Sequence, residues 1–141
     1  QANGNAMNPT YRHGAYLFSL PYVSEKKVIT KGDIVVFRAP PDPEKDYIKR
    51  VIATPGDNIM IQGGQVFLNG QKLDESKSTL PNTMTNPGKF IQEGKSIKVA
   101  TGQYFVMGDN RSFSTDSREW GFVPQESFVS KVTFCYWNCG K

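Results

Sequence analysis

Residues 58–70 carry the pattern that most restricts the fold. Ile59 and Ile61 stand two apart, Gly63-Gly64 follows, and Val66 and Leu68 repeat the two-residue step. Side chains two apart on a strand share a face, and paired glycines supply the left-handed backbone a tight hairpin turn needs. Asn69-Gly70 is a second tight-turn signal directly behind it.

The rest of the chain repeats this strand-and-turn grammar. Residues 15–23 are rich in apolar and aromatic side chains, Lys31-Gly32-Asp33 reads as a turn, and Ile34–Arg38 as a short buried strand. Three prolines in residues 39–44 make a loop. Residues 47–54 are strand-like again and end at Pro55-Gly56-Asp57. Gln103–Met107 and Ser127–Trp137 read as two further strands, the second closing the fold. No stretch of ten residues carries helical periodicity. Gly and Pro together make 22 of 141 residues, above the roughly 12% of average usage. The expected class is mostly β: an antiparallel barrel-like or folded-sheet domain with long loops, one domain over residues 1–141. Residues 71–100 are rich in Lys, Ser, Thr, Asn and Gly and poor in apolar side chains. They read as a polar insertion with little core of its own.

The charge is a mild +4 from 17 basic and 13 acidic residues. The charges are scattered, with no basic stripe and no reading motif, which excludes a nucleic-acid partner. Apolar runs reach about four residues against the roughly 20 of a membrane-spanning helix. The chain opens on Gln1 rather than Met and is read as a processed or truncated piece, with any anchor upstream. Cys135 and Cys139 lie about 13 Å apart if the chain between them is extended. A disulfide needs Cα atoms within about 7 Å, so a bridge requires a bend, which Asn138 and Gly140 allow. Bridged and free thiols both stay open. Two Cys and the distant His13 fall short of a zinc site, and no cofactor is called for. His13 is the only residue that a Ser-His-Asp triad has available; a hydrogen-bonded surface histidine is the plainer reading.

Two polar features sit in apolar context. Lys49 lies inside Tyr47-Ile48-Lys49-Arg50-Val51-Ile52, where alternation puts it on the face of Tyr47 and Val51 and puts Arg50 with Ile48 and Ile52. Either one of the two cations lies against apolar neighbours, or this is an edge strand with both snorkelling to water. A desolvated Lys49 has a lowered pKa and is able to act as a general base. The second feature is residues 108–118, GDNRSFSTDSR, directly behind a buried strand. Asp109, Asn110, Arg111, Asp116 and Arg118 are able to knit a rigid loop by charge-assisted bonds; a well-capped turn is the plainer alternative.

Taken together, these segments resemble type I signal peptidase, the Ser/Lys-dyad leader peptidase family. Gly4-Asn5-Ala6-Met7-Asn8-Pro9-Thr10 resembles the family's nucleophile motif, (S/G)-x-S-M-x-P-T. Gly32–Phe37 resembles its next strand, and Asp46–Ile52 with Pro55-Gly56-Asp57 the segment bearing the catalytic lysine. Gly108–Arg111, Ser114, Asp116–Arg118 and Trp120–Pro124 resemble its last signature. The four blocks stand in the family's order. One departure matters most: Ala6 stands where the family has its nucleophilic serine, and a methyl group cannot attack a carbonyl. The other recognisable catalytic residues remain, which favours a deliberate Ser-to-Ala change. The alternative is a natural non-catalytic homologue that binds signal-like peptides and assists surface-protein assembly.

The resemblance implies a serine endopeptidase that removes N-terminal signal peptides from exported preproteins, disabled here by Ala6. With a serine restored, Lys49 takes the hydroxyl proton and returns it to the leaving amine, and Ser114 orients the lysine. Oxyanion donors are worth about 3 to 4 kcal/mol each. The Ala6 N–H is the first candidate, and Gly4 holds the position where some members add a second. Asp116 and Arg118 match a structural ion pair, Asp109 a supporting carboxylate, and Arg111 belongs to the same support. Met7, Tyr11, Tyr47 and Ile48 are expected to wall pockets for small substrate residues at −1 and −3, with the substrate adding as a strand. The stretch Tyr16–Tyr22 reads equally as a lipid-facing surface or as core. The implied location is the outer face of the cytoplasmic membrane, anchored by a single or multiple upstream segments, with this chain a soluble fragment.

Overall fold

The computed structural model describes residues 1–23 and 28–140. Its strands are β1 (Tyr11–Pro21), β2 (Ile34–Arg38), β3 (Asp46–Ala53), β4 (Asn58–Gln62), β5 (Gln65–Leu68), β6 (Gln71–Lys72), β7 (Ile97–Lys98), β8 (Gln103–Met107), β9 (Val123–Pro124) and β10 (Phe128–Cys139). A 3-10 turn (Arg111–Phe113) and a short α-helix, α1 (Ser117–Trp120), follow β8. The strands form a six-stranded sheet, β1-β10-β2-β3-β8-β9, and a four-stranded sheet, β6-β5-β4-β7, with antiparallel pairing throughout. Of the two forms expected, the folded sheet is the one observed; among the described residues neither sheet closes into a barrel.

The hairpin in residues 58–70 pairs Ile59 with Leu68, Ile61 with Val66 and Gln62 with Gln65. Gly63 and Gly64 take φ of 59° and 76°, the turn that fits the twist of two paired strands. Residues 51–53 of β3 and 104–107 of β8 are buried on both faces because they lie between two cores. Val51 and Val106 point into a cluster with Val35, Phe37, Tyr104 and Phe128. Their neighbours Ile52, Ala53, Phe105 and Met107 point the other way, onto Ile59, Ile61 and Val66 of the hairpin. Period-two alternation thus explains why β8 reads as an unbroken apolar run.

Residues 71–100 are packed more closely than their composition suggests. Ile91 and Val99 are fully buried in the second core, Leu73, Phe90 and Ile97 pack against it, and Thr79 and Thr85 are buried. A few well-spaced apolar residues seat the segment while its polar ones cover it. The pair Cys135–Cys139 is a disulfide with Cα atoms 5.9 Å apart. The bend it needs is at Asn138, whose φ is 51°, a left-handed conformation that asparagine tolerates better than most residues.

The long pairing of β1 with β10 puts Phe18 directly opposite Phe134, their rings stacked at 5.2 Å, and Tyr16 beside Tyr136 at 6.0 Å. Tyr16, Phe18, Leu20, Phe134, Tyr136 and Trp137 are all exposed. Among the described residues no helix is long and apolar enough to cross a membrane.

Candidate active site

The first half of β3 is paired on only one side. Residues 46–50 bond to β2, whereas β8 pairs only with residues 50–53. The first half of β3 therefore presents a free edge, and a cavity of about 510 Å³ opens beside it. Its lining brings together Gly4, Ala6, Met7, Tyr11, Tyr47, Ile48 and Lys49, with Leu17, Val36 and Val132 as further apolar wall.

The loop bearing Ala6 is clamped onto the loop after β8. The Asn110 N–H donates to the Ala6 carbonyl at 2.9 Å, and Asn110 Nδ2 donates to the Asn5 carbonyl at 3.1 Å. The two loops approach so closely that a Cβ at residue 108 would clash with the Ala6 carbonyl and Ser114 Oγ, which requires Gly108. Within the Ala6 loop, the Tyr11 N–H donates to the Met7 carbonyl at 2.9 Å, and the Asn8–Pro9 bond is cis. The Ala6 N–H donates to no acceptor among the described residues. The Gly4 N–H differs: it donates to His13 Nδ1 at 2.8 Å and is not free to face an oxyanion. His13 is thereby a hydrogen-bonded histidine, and Gly4 carries no side-chain hydroxyl to serve as a second donor.

Lys49 is 5% exposed, and its Nζ lies 6.0 Å from the centre of the Tyr47 ring. No hydrogen bond or carboxylate pair reaches Nζ among the described residues. Burial pulls its pKa below the ordinary lysine value; the Asp116 carboxylate pushes it back up, and Arg118 opposes that. Of the two cations in β3, Lys49 is the desolvated one. Arg50 is instead paired: Nε and Nη2 each reach Asp109 at 2.8 Å, and Nη1 donates to the Gly32 carbonyl.

Ser114, Asp109, Arg111, Asp116 and Arg118 do not line the cavity. They form the support behind it. Ser114 Oγ donates to Asp116 at 2.8 Å and accepts from the Gly108 N–H at 3.2 Å; it makes no hydrogen bond to Lys49. Asp116, fully buried, takes Arg118 Nε at 2.8 Å and Nη2 at 3.0 Å. Arg118 also holds the Arg111 and Ser114 carbonyls. Asp109 accepts from Thr10 Oγ1 as well as from Arg50, tying the residues after Ala6 to β3. Arg111 donates from Nε to the Gly108 carbonyl and pairs with Glu75, with Thr85 as a third partner.

Several of these partners were not singled out in the sequence. Glu75 and Thr85 sit in the polar segment, where only long-range packing shows their function. Gly108 and Asn110 lay inside the recognised signature, but their contact with Ala6 spans about a hundred residues.

The signal peptidase, peptidase S26, family matches residues 1–137. A signal peptidase I of Bacillus caldolyticus is 36% identical over 140 residues, covering 95% of this chain and 76% of that protein. A signal peptidase IB of Staphylococcus aureus is 32% identical over 145 residues, covering 95% and 74%. The crystal structure of a signal peptidase I from Enterococcus faecalis superposes with a TM-score of 0.62 at 29% identity, covering 76% of this chain and 98% of that one. A mostly antiparallel β fold with its cavity between the Ala6 loop and β3 goes with these likenesses, and the chain belongs to the signal peptidase S26 family.

Proposed function

We propose that this chain is the catalytic domain of a serine endopeptidase that removes signal peptides from exported preproteins through a Ser/Lys dyad, disabled by Ala6 at the nucleophile position. The observation that carries this reading is a buried, hydrogen-bond-free Lys49 in the same cavity as Ala6. A lysine is rarely buried without a partner, because the charged form is costly there. Its use is as a neutral base.

With serine at position 6, the hydroxyl attacks the carbonyl carbon of the scissile bond while Lys49 Nζ accepts its proton. The tetrahedral oxyanion is met by the free N–H of residue 6. Collapse expels the amine, which takes the proton back from Lys49, and water then hydrolyses the acyl ester by the same base. Ser114 is a positioning group. Its own proton goes to Asp116 and one lone pair to Gly108, so the second lone pair is left to receive a lysine N–H. Asp109, Arg111, Asp116 and Arg118 hold the two loops in register.

The substrate adds as an extended strand along the free edge of β3, with small residues at −1 and −3 against Met7, Tyr11, Tyr47 and Ile48. The exposed aromatic ribbon of β1 and β10 rests on the lipid surface at the outer face of the cytoplasmic membrane.

The test is cleavage of a signal-peptide substrate in detergent by Ala6→Ser, with Ala6→Ser plus Lys49→Ala as control. Cutting by the first alone supports the dyad. No cutting by a folded Ala6→Ser protein favours the non-catalytic homologue that only binds signal-like segments.

A further inference from the structure

A second groove, of about 330 Å³, lies beyond Asn110 and shares no lining residue with the cavity. It is lined by Asn8, residues 80–84 and residues 109–113. Three large apolar side chains stand at it with most of their surface in water: Phe113 is 74% exposed, Leu80 56% and Met84 55%. The charges at its floor are spent. Asp109 and Arg111 are 1% and 3% exposed, and their partners are Arg50 and Glu75. The groove therefore offers apolar surface, amides and hydroxyls, with little free charge.

Its position relative to Ala6 follows from Asn110. The backbone N–H of Asn110 holds the Ala6 carbonyl, while the residue itself lines the groove. A polypeptide crossing position 6 with its upstream residues in the cavity has to leave on another side. At about 3.3 to 3.6 Å per residue, the first few downstream residues reach the groove.

We propose that this groove receives the segment immediately downstream of the scissile bond, the new N-terminus of the released protein, and that it prefers an extended, uncharged stretch with an apolar side chain against Phe113. This rests on the reading of Ala6 as the nucleophile position.

Binding to the chain as it stands tests the proposal, since Ala6 prevents cutting. Two peptides are compared by calorimetry: one ending at the cleavage point, and one continuing for six residues that include a leucine. The longer peptide is expected to bind about tenfold tighter, from partial burial of one or two apolar side chains. Phe113→Asp is expected to abolish that gain while leaving the short peptide's affinity unchanged. Because Phe113 is exposed, the variant is expected to fold; Phe113→Ala, with a smaller loss, is the second variant.

Equal affinity of the two peptides overturns this inference and leaves the catalytic reading intact. So does a gain insensitive to Phe113. Binding of neither peptide overturns both. Self-association of the chain that Phe113→Asp removes, without any effect on peptide binding, assigns the patch to a second copy and overturns the proposal.

Discussion

Removing the Asp116 carboxylate exposes what holds the loop behind the site. Asp116 is fully buried and accepts from Ser114 Oγ, the Gly108 N–H, the Arg118 N–H and the Arg118 guanidinium. The Arg118 side chain is only 6% exposed, so Asp116→Ala leaves a buried cation without its carboxylate. Breaking one half of such a pair costs about 3–5 kcal/mol, mostly as the orphaned charge rather than as lost attraction. That is a large share of the roughly 5–15 kcal/mol stability of a domain. The double variant Asp116→Leu/Arg118→Met removes the charge as well. It is expected to recover at least half of the loss, because a buried pair and apolar residues of similar volume are often close in energy. The assay is urea unfolding with the disulfide intact, comparing midpoints at unchanged slope. A loss under about 1 kcal/mol for Asp116→Ala, or a double variant as unstable as the two single losses summed, refutes the reasoning.

Four further outcomes follow from the same contacts. Lys49→Met is expected to be more stable than the parent at neutral pH: the lowered folded pKa means the unfolded chain binds more protons, so parent stability rises with pH in that window. The margin of the variant shrinks as pH climbs toward the ordinary lysine value, which unfolding at several pH values checks. At Asp57, burial raises the pKa, but hydrogen bonds from Asn69, Thr54 and Lys31 outweigh it and hold it below the usual carboxylate value. Asp57→Ala is expected to cost about 1–2 kcal/mol at pH 7, and the difference from the parent fades as acid protonates Asp57 through its folded pKa. Glu75→Gln, made in an Ala6→Ser background, is expected to lower kcat with KM nearly unchanged, because Arg111 and Gly108 lose their anchor while the cavity walls stay. Phe18→Ser with Phe134→Ser is expected to weaken binding to lipid vesicles about tenfold without changing the unfolding midpoint by more than a few degrees, since both rings are exposed.

What could be read in advance was local. The β4–β5 hairpin follows from four apolar residues and two glycines, and the position of β8 from five consecutive residues. The burial of Lys49 was one of two open readings, because alternation places a side chain on a face but does not say what covers that face. The residues that share the cavity with it include Ala6, Met7 and Val132, far off in the chain. The link from Thr10 to Asp109 and that from Glu75 to Arg111 have no periodic signature either; only the folded chain brings them together. The burial of Ile91 and Val99 was hidden by the polar residues around them, since average composition does not report where the few apolar ones point. Spacing alone left the Cys135–Cys139 bridge undecided, because it turns on the left-handed backbone of one residue, Asn138.

The central claim is that Lys49 is buried in the cavity with residue 6 and that burial pulls its pKa below the ordinary lysine value. Its most direct test is a nitrogen-detected NMR titration of the Lys49 side chain in the folded chain, assigned with Lys49→Arg. A midpoint well below that of the exposed lysines, falling further in Asp116→Asn because the carboxylate that favours the charged form is gone, is the predicted result. A midpoint at or above the ordinary lysine value would contradict the account.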